Sequence, residues 1–279
     1  MSFFTLLSDP HAEFLRYALI SGLFASVAFA ITGTYVVVRR SGAIAGAIAH
    51  SVLGGIGIAS YLNVVKGIGW FTPLIGALVA ALVSAVVIGL VTLHAQERED
   101  SVIAAIWAGG MAVGLLFLHK TPGNIDAMSY IMGDILLISR ADLVMVIILD
   151  VVVVAVGFLF YSRFLAICFD EEFARLRGVR ANLYYLLLLC LTGLSIVLLS
   201  RLVGIIMVIA LLVIPSAIAS QLSKHLWQMM ILSALACMLF ITAGMAASIE
   251  FDLPSGPTII VVAAGFYLIG LGGKAICRR

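Results

Sequence analysis

Two ionisable side chains stand deep inside apolar stretches of this chain, His50 and Asp150. Such groups cost several kcal/mol in hydrocarbon, so each calls for a function or a partner. An imidazole is neutral near pH 7 and suits zinc, iron and other borderline divalent metals. A carboxylate adds the negative charge that a lone imidazole lacks. His50 lies about eight residues into its stretch and Asp150 about nine into its own, so at ~1.5 Å per residue they reach similar depths. Equal depth does not make them neighbours. Each also has a packing reading: His50 hydrogen-bonded to a backbone carbonyl, Asp150 to an adjoining helix.

The remaining polar residues carry less chemistry. His119, Asp126, Asp134, Glu250 and Asp252 fall at one set of stretch ends, and His94 and His225 at the other. Solvated loops carry such residues routinely. The ten methionines are scattered among Ile, Leu and Val and form no thioether ladder of the kind soft Cu(I) favours. Cys168, Cys190, Cys237 and Cys277 are far apart and read as small apolar residues, with neither a disulfide framework nor a zinc knuckle. A charged segment, Phe169 to Asn182, places Asp170, Glu171 and Glu172 before Arg175, Arg177 and Arg180. Acids at the start and bases at the end suit the dipole of a short helix, which Gly178 would stop.

The elements that must position these residues follow from composition. Of 279 residues, 63% are hydrophobic and 11% charged, against about 25% charged in soluble chains. A membrane-embedded, all-α polytopic helix bundle is the expected fold. The net charge of +2 gives no reason to expect a nucleic-acid partner. Apolar stretches near the ~20 residues needed to cross a bilayer fall at roughly 14–38, 42–64, 70–94, 101–119, 141–162, 182–200, 203–222, 226–248 and 256–276. The sixth and seventh are parted only by Arg201-Leu202, so eight or nine spans are expected. The stretch 120–140, with Asn124, Tyr130, Gly133 and Asp134, is too polar to face lipid and reads as a surface helix or re-entrant segment. With nine spans and the N-terminus outside, Lys and Arg concentrate on the inner side, while Arg16, Lys66, Lys120, Arg140 and Arg201 fall outside. The first 13 residues hold Asp9 and Glu13 but no Lys or Arg, so no cleaved signal peptide is expected. Among 26 glycines, Gly42, Gly46, Gly54, Gly55 and Gly57 share one stretch, where they permit close helix packing or a bare passage wall.

Several segments, taken in order, resemble the permeases of zinc, manganese and iron ABC importers. They are YVVVRRSG (Tyr35 to Gly42), AHSVLGG (Ala49 to Gly55), EDSVIAAIWAGGMAVG (Glu99 to Gly114), Tyr130 to Leu136, VGIIMVIALLVIPSAIA (Val203 to Ala219) and FDLPSGPTIIV (Phe251 to Val261). The resemblance covers nearly the whole chain. It implies a single transmembrane permease domain over 1–279, in the bacterial cytoplasmic membrane, with no resident cofactor and the metal ion as substrate. It also implies that the chain works with a second permease subunit (identical or different), two cytoplasmic ATPase subunits and an extracytoplasmic metal-binding protein. The segment at about 163–181 resembles the family's coupling helix, with Phe169, Asp170, Glu171, Ala174, Arg175, Gly178 and Val179 as ATPase contacts. His50 falls where the resemblance places a metal-coordinating histidine. Many members carry an aspartate four residues earlier, where this chain has Gly46. Asp150 is the candidate to supply the missing charge, and the absent carboxylate leans away from the hard-ligand needs of manganese.

No G-x-x-x-x-G-K-[ST] is present, and GLGGKA (Gly270 to Ala275) has the wrong spacing, so ATP hydrolysis is expected on a separate subunit. The competing reading is an ion-gradient-driven secondary metal transporter with His50 and Asp150 as a relay, although the chain lacks an internal repeat. An intramembrane enzyme is disfavoured: Asp150 has no paired acid, and neither H-E-x-x-H nor G-x-S-x-G occurs.

Overall fold

A computed structural model describes residues 13–94, 99–123 and 140–277. The stretch around Asn124 to Asp134, with Asp126 and the Tyr130 to Leu136 segment, lies outside the described residues, as do Asp9 and the other residues of 1–12. The described residues form α1 (Glu13–Val38), α2 (Gly42–Lys66), α3 (Pro73–His94), α4 (Glu99–Lys120), α5 (Arg140–Leu159), α6 (Tyr161–Phe169), α7 (Glu171–Leu176), α8 (Ala181–Val203), α9 (Ile205–Leu222), α10 (Leu226–Phe251) and α11 (Ser255–Cys277). The all-α class is as expected.

The span count needs correction. Six helices among the described residues are long and apolar enough to cross a membrane, or seven if the bent pair α5–α6 is one span. The apolar parts of α8 and α11, Ala181–Val197 and Ser255–Gly270, are shorter. The fifth span, expected to run to residue 162, ends at Leu159, where the chain bends by 67° into α6. Between the sixth and seventh stretches the break falls at Gly204, beyond Arg201-Leu202. Gly204 takes φ +79 between α8 and α9, a backbone conformation open to glycine and costly for residues with a Cβ.

Two packing units position the candidate residues. In the first, α1 is the central post, packed by α5, α8, α9 and α10. Its Phe29 and Tyr35 are fully buried, and Tyr35 donates a hydrogen bond to the Gly157 carbonyl of α5. Two buried hydroxyls of α1 turn back on their own helix, Ser26 donating to Gly22 O and Thr32 to Ala28 O, whereas those of Ser21 and Thr34 are buried with no hydrogen-bond partner among the described residues. In the second unit, α2 is clasped by α3 and α4. A Cβ on Gly54 would lie 2.9 Å from the Gly110 carbonyl, and one on Gly110 would lie 2.6 Å from the Ser51 backbone. Only bare backbones fit at that separation. In lipid no hydrophobic force drives helices together, so van der Waals contact between such faces supplies the attraction. The glycines of α2 therefore serve packing where they meet Gly76, Gly110 and Gly114.

Candidate functional site

The glycine contact of α2 and α4 ends at one large side chain, Trp107. Trp107, Gly110 and Gly114 share one face of α4 at helical spacing, and the two glycines lie against the α2 backbone. The Trp107 indole lies across α2, stacked on the His50 imidazole with ring centroids 4.7 Å apart and planes 20° from parallel. The same indole crosses Gly46, one turn earlier, where a Cβ would meet Cζ3 at 2.8 Å and Cη2 at 3.1 Å. His50 is half-buried. Its ring nitrogens make no hydrogen bond among the described residues, so no backbone carbonyl takes the imidazole. Metal ions bind imidazole through the in-plane nitrogen lone pair, which a stack on the ring face leaves open.

Asp150 has different surroundings. It is buried against the backbone of Ala28 on α1 and lines a small cavity with Ser195 and Leu199 of α8. Its helix α5 packs on α1, α8 and α6, whereas α2 packs chiefly on α4, α3, α8 and α9. The two deep ionisable residues thus belong to different packing units, and His50 has Trp107 rather than Asp150 at its side. No group of three or more His, Cys, Asp or Glu that could hold a metal occurs among the described residues. His94 Nδ1 donates to Leu90 O at 2.8 Å, and His225 stacks on Trp227, so both have ordinary local partners.

The charged segment folds as its composition dictates. Asp170 caps α7, its Oδ1 accepting from Phe173 N at 2.8 Å. At the other end Gly178 takes φ +77, Gly178 N donates to Arg175 O and Val179 N to Ala174 O. That is a Schellman closure, which satisfies the last carbonyls of a six-residue helix. Ala174 is buried and Val179 half-buried against the core, while Phe169, Phe173 and Leu176 are exposed. Arg175 pairs with Glu171 at 2.6 Å and donates to Asn182 at 2.9 Å.

Arg39, in the turn that follows α1, ties this segment to the bundle. One guanidinium nitrogen donates to the Ile167 carbonyl of α6, the other to Glu171 at 2.6 Å, and the group lies 4.2 Å from the centroid of the Tyr185 ring of α8. Burial pushes the Glu171 carboxyl up, but the hydrogen bonds and charges of Arg39 and then Arg175 outweigh it and hold the group below its ordinary 4.5. Sequence reading missed both Trp107 and Arg39. For Trp107 the signal was its spacing to Gly110 and Gly114; Arg39 was read only as a topological charge.

A multi-pass helical bundle, with a histidine-bearing glycine-packed helix on one side and a capped polar segment tied to its central post, has the build of a membrane permease. The chain belongs to the ABC 3 transport family, which it matches over residues 11–273. It is 39% identical over 92% of its length, and 85% of the relative's, to a probable metal transport system membrane protein of Chlamydia pneumoniae. It is 32% identical over 94% of its length, and 83% of the relative's, to the manganese transport system membrane protein MntB of Synechocystis. Among solved structures it is similar to PsaBC from Streptococcus pneumoniae, with a TM-score of 0.83 and 26% identity over 96% of this chain and 93% of that one. It is a multi-pass membrane component of an ABC transporter.

Proposed function

We propose that this chain is the permease subunit of an ABC importer that carries divalent transition-metal ions, zinc, manganese or iron, across the bacterial cytoplasmic membrane. The observation that carries the reading is His50, an imidazole on an apolar helix whose ring nitrogens make no hydrogen bond among the described residues, in a family whose relatives are named for metal transport. His50 is a station on the ion's path. Asp150, in the other packing unit, is a second and separate station that supplies charge.

The partners follow from exposed surfaces. Phe169, Phe173 and Leu176 project from a charged segment outside the spans, a surface suited to a groove on a cytoplasmic ATPase subunit. Helix α4 is the least buried of the six spans, with 17% of its apolar window covered. Its open side shows Ala104, Ala105, Ala108, Gly109 and Ala112, small residues that let a second permease subunit approach closely. A metal-binding protein on the outer side completes the importer.

The test is reconstitution with the ATPase subunit and the binding protein in vesicles, following radiolabelled zinc, manganese and iron with and without ATP. ATP-dependent uptake of a metal, lost in His50→Ala at normal expression, supports the reading. Uptake that needs only a proton gradient overturns it in favour of a secondary transporter.

A further inference from the structure

The indole of Trp107 does two things to α2 at once. It lies on the face of the His50 ring, at 4.7 Å and 20°, and it fills the space above Gly46 to within 2.8 Å of where a Cβ would be. Residue 46 is one turn from residue 50, so it is the place on α2 from which a second ligand would reach an ion held by His50. With the indole there, that place cannot carry a side chain unless Trp107 moves. Trp107 itself has little room to retreat toward α2, because Gly110 and Gly114 hold the two backbones in contact just beyond it. The far side of the indole remains open, with 37% of the residue exposed.

We propose that Trp107 is the positioning and specificity-determining residue of the His50 station: it fixes the plane of the imidazole and occupies the space above Gly46 from which α2, which carries no Asp or Glu, could otherwise offer the ion a second ligand. The station then offers a nitrogen ligand and an aromatic wall, with no anionic oxygen from its own helix. Imidazole suits zinc and iron, whereas manganese favours carboxylate, carbonyl and water. The importer therefore selects imidazole-favouring ions over manganese at this step. The inference rests on His50 being a metal ligand, and the experiment separates the two.

In a Trp70→Phe/Trp227→Phe background, Trp107 is the remaining tryptophan of the three in the chain. Paramagnetic Co²⁺ bound at His50 quenches its emission, and His50→Ala abolishes the quenching. Absence of quenching with His50 intact overturns the metal-ligand reading itself. Given quenching, the inference is tested by competitive uptake of zinc and manganese in the reconstituted importer at saturating binding protein. Trp107→Phe, which keeps an aromatic face, preserves the zinc-to-manganese ratio. Trp107→Ala lowers zinc uptake, and Gly46→Asp/Trp107→Ala shifts the ratio toward manganese by ~10–100-fold, the scale of effects from residues that orient metal ligands. Gly46→Asp alone loses uptake, because the indole and the new side chain compete for one space. Native zinc uptake in Trp107→Ala, or full uptake by Gly46→Asp, overturns the proposal. If the double variant does not fold, the contrast between Trp107→Phe and Trp107→Ala decides the matter.

Discussion

Arg39, just beyond the end of α1, holds Glu171 at the start of α7 through an ion pair of 2.6 Å. The guanidinium also takes the Ile167 carbonyl and faces the Tyr185 ring, so α1, α6, α7 and α8 meet at one side chain. From Arg39 the chain turns through Arg40 and Ser41 directly into α2. In the proposed importer, a displacement of α7 by an ATPase subunit would reach the helix that carries His50 through this short, hydrogen-bonded link.

The first prediction concerns that link. Arg39→Gln leaves the ATPase rate intact while uptake per ATP falls by ~10-fold or more, since bonds to charged groups contribute about 1.5–3 kcal/mol. Glu171→Gln has a smaller effect, because Ile167 O and Tyr185 still hold the guanidinium. Parallel measurement of phosphate release and metal uptake checks it; equal loss of both activities in Arg39→Gln would sink the coupling role.

Acid should loosen the same junction in a defined window. Glu171 has its folded value lowered, so its contribution is fully present above the unfolded value near 4.5 and is lost as pH falls through the lower folded value. Hydrogen exchange of the α7 amides is expected to stay protected at pH 4.5 and to rise only below it. In Glu171→Gln that acid step is missing. A rise in exchange centred above 4.5 in the native chain would contradict the assignment.

Glycines in α4 are expected to divide by what they face. A Cβ on Gly110 lies 2.6 Å from the Ser51 backbone, while Gly109 has nothing within 4 Å. Gly110→Ala should lower stability by about 1–3 kcal/mol, the usual cost of overpacking, and Gly109→Ala should not. Thermal denaturation in detergent measures the difference. Gly109→Leu should leave each subunit folded yet weaken pairing of two permease copies, read as a shift from dimer to monomer in native mass spectrometry. A dimer unaffected by Gly109→Leu would place the second copy elsewhere.

Much of this was legible in the residues. Composition alone gave the helical membrane class, and the acid-to-base order of Asp170 to Arg180 gave the short capped helix ended by Gly178. Span boundaries were less legible where an apolar run hides a backbone event. Hydropathy continues through Leu159 and Phe160, so the 67° bend there has no signature in it. Gly204 marks a break only once its positive φ is known, because glycine in an apolar run also serves close packing. Tertiary partners were invisible for a similar reason. Trp107 is one aromatic on an apolar helix until α4 is laid against α2, and Arg39 is one of two adjacent arginines until α6, α7 and α8 converge on it.

The last prediction separates the two deep ionisable residues. His50 and Asp150 have no common neighbour described above: one stacks on Trp107 of α4, the other is enclosed by Ala28, Ser195 and Leu199. Residues that share a ligand show strong non-additivity, whereas sites without common partners add to within about 0.3–0.5 kcal/mol. As separate stations, His50→Ala and Asp150→Asn should each reduce uptake, and the double variant should show the product of the two reductions. Asparagine keeps the size and an acceptor oxygen at the Ala28 backbone, so its effect reports charge rather than packing. A double variant no worse than the poorer single one would mean that both side chains hold the same ion, with α5 and α2 brought together in another conformation. Uptake unchanged by Asp150→Asn would leave Asp150 as a carboxyl that only joins α5 to α1.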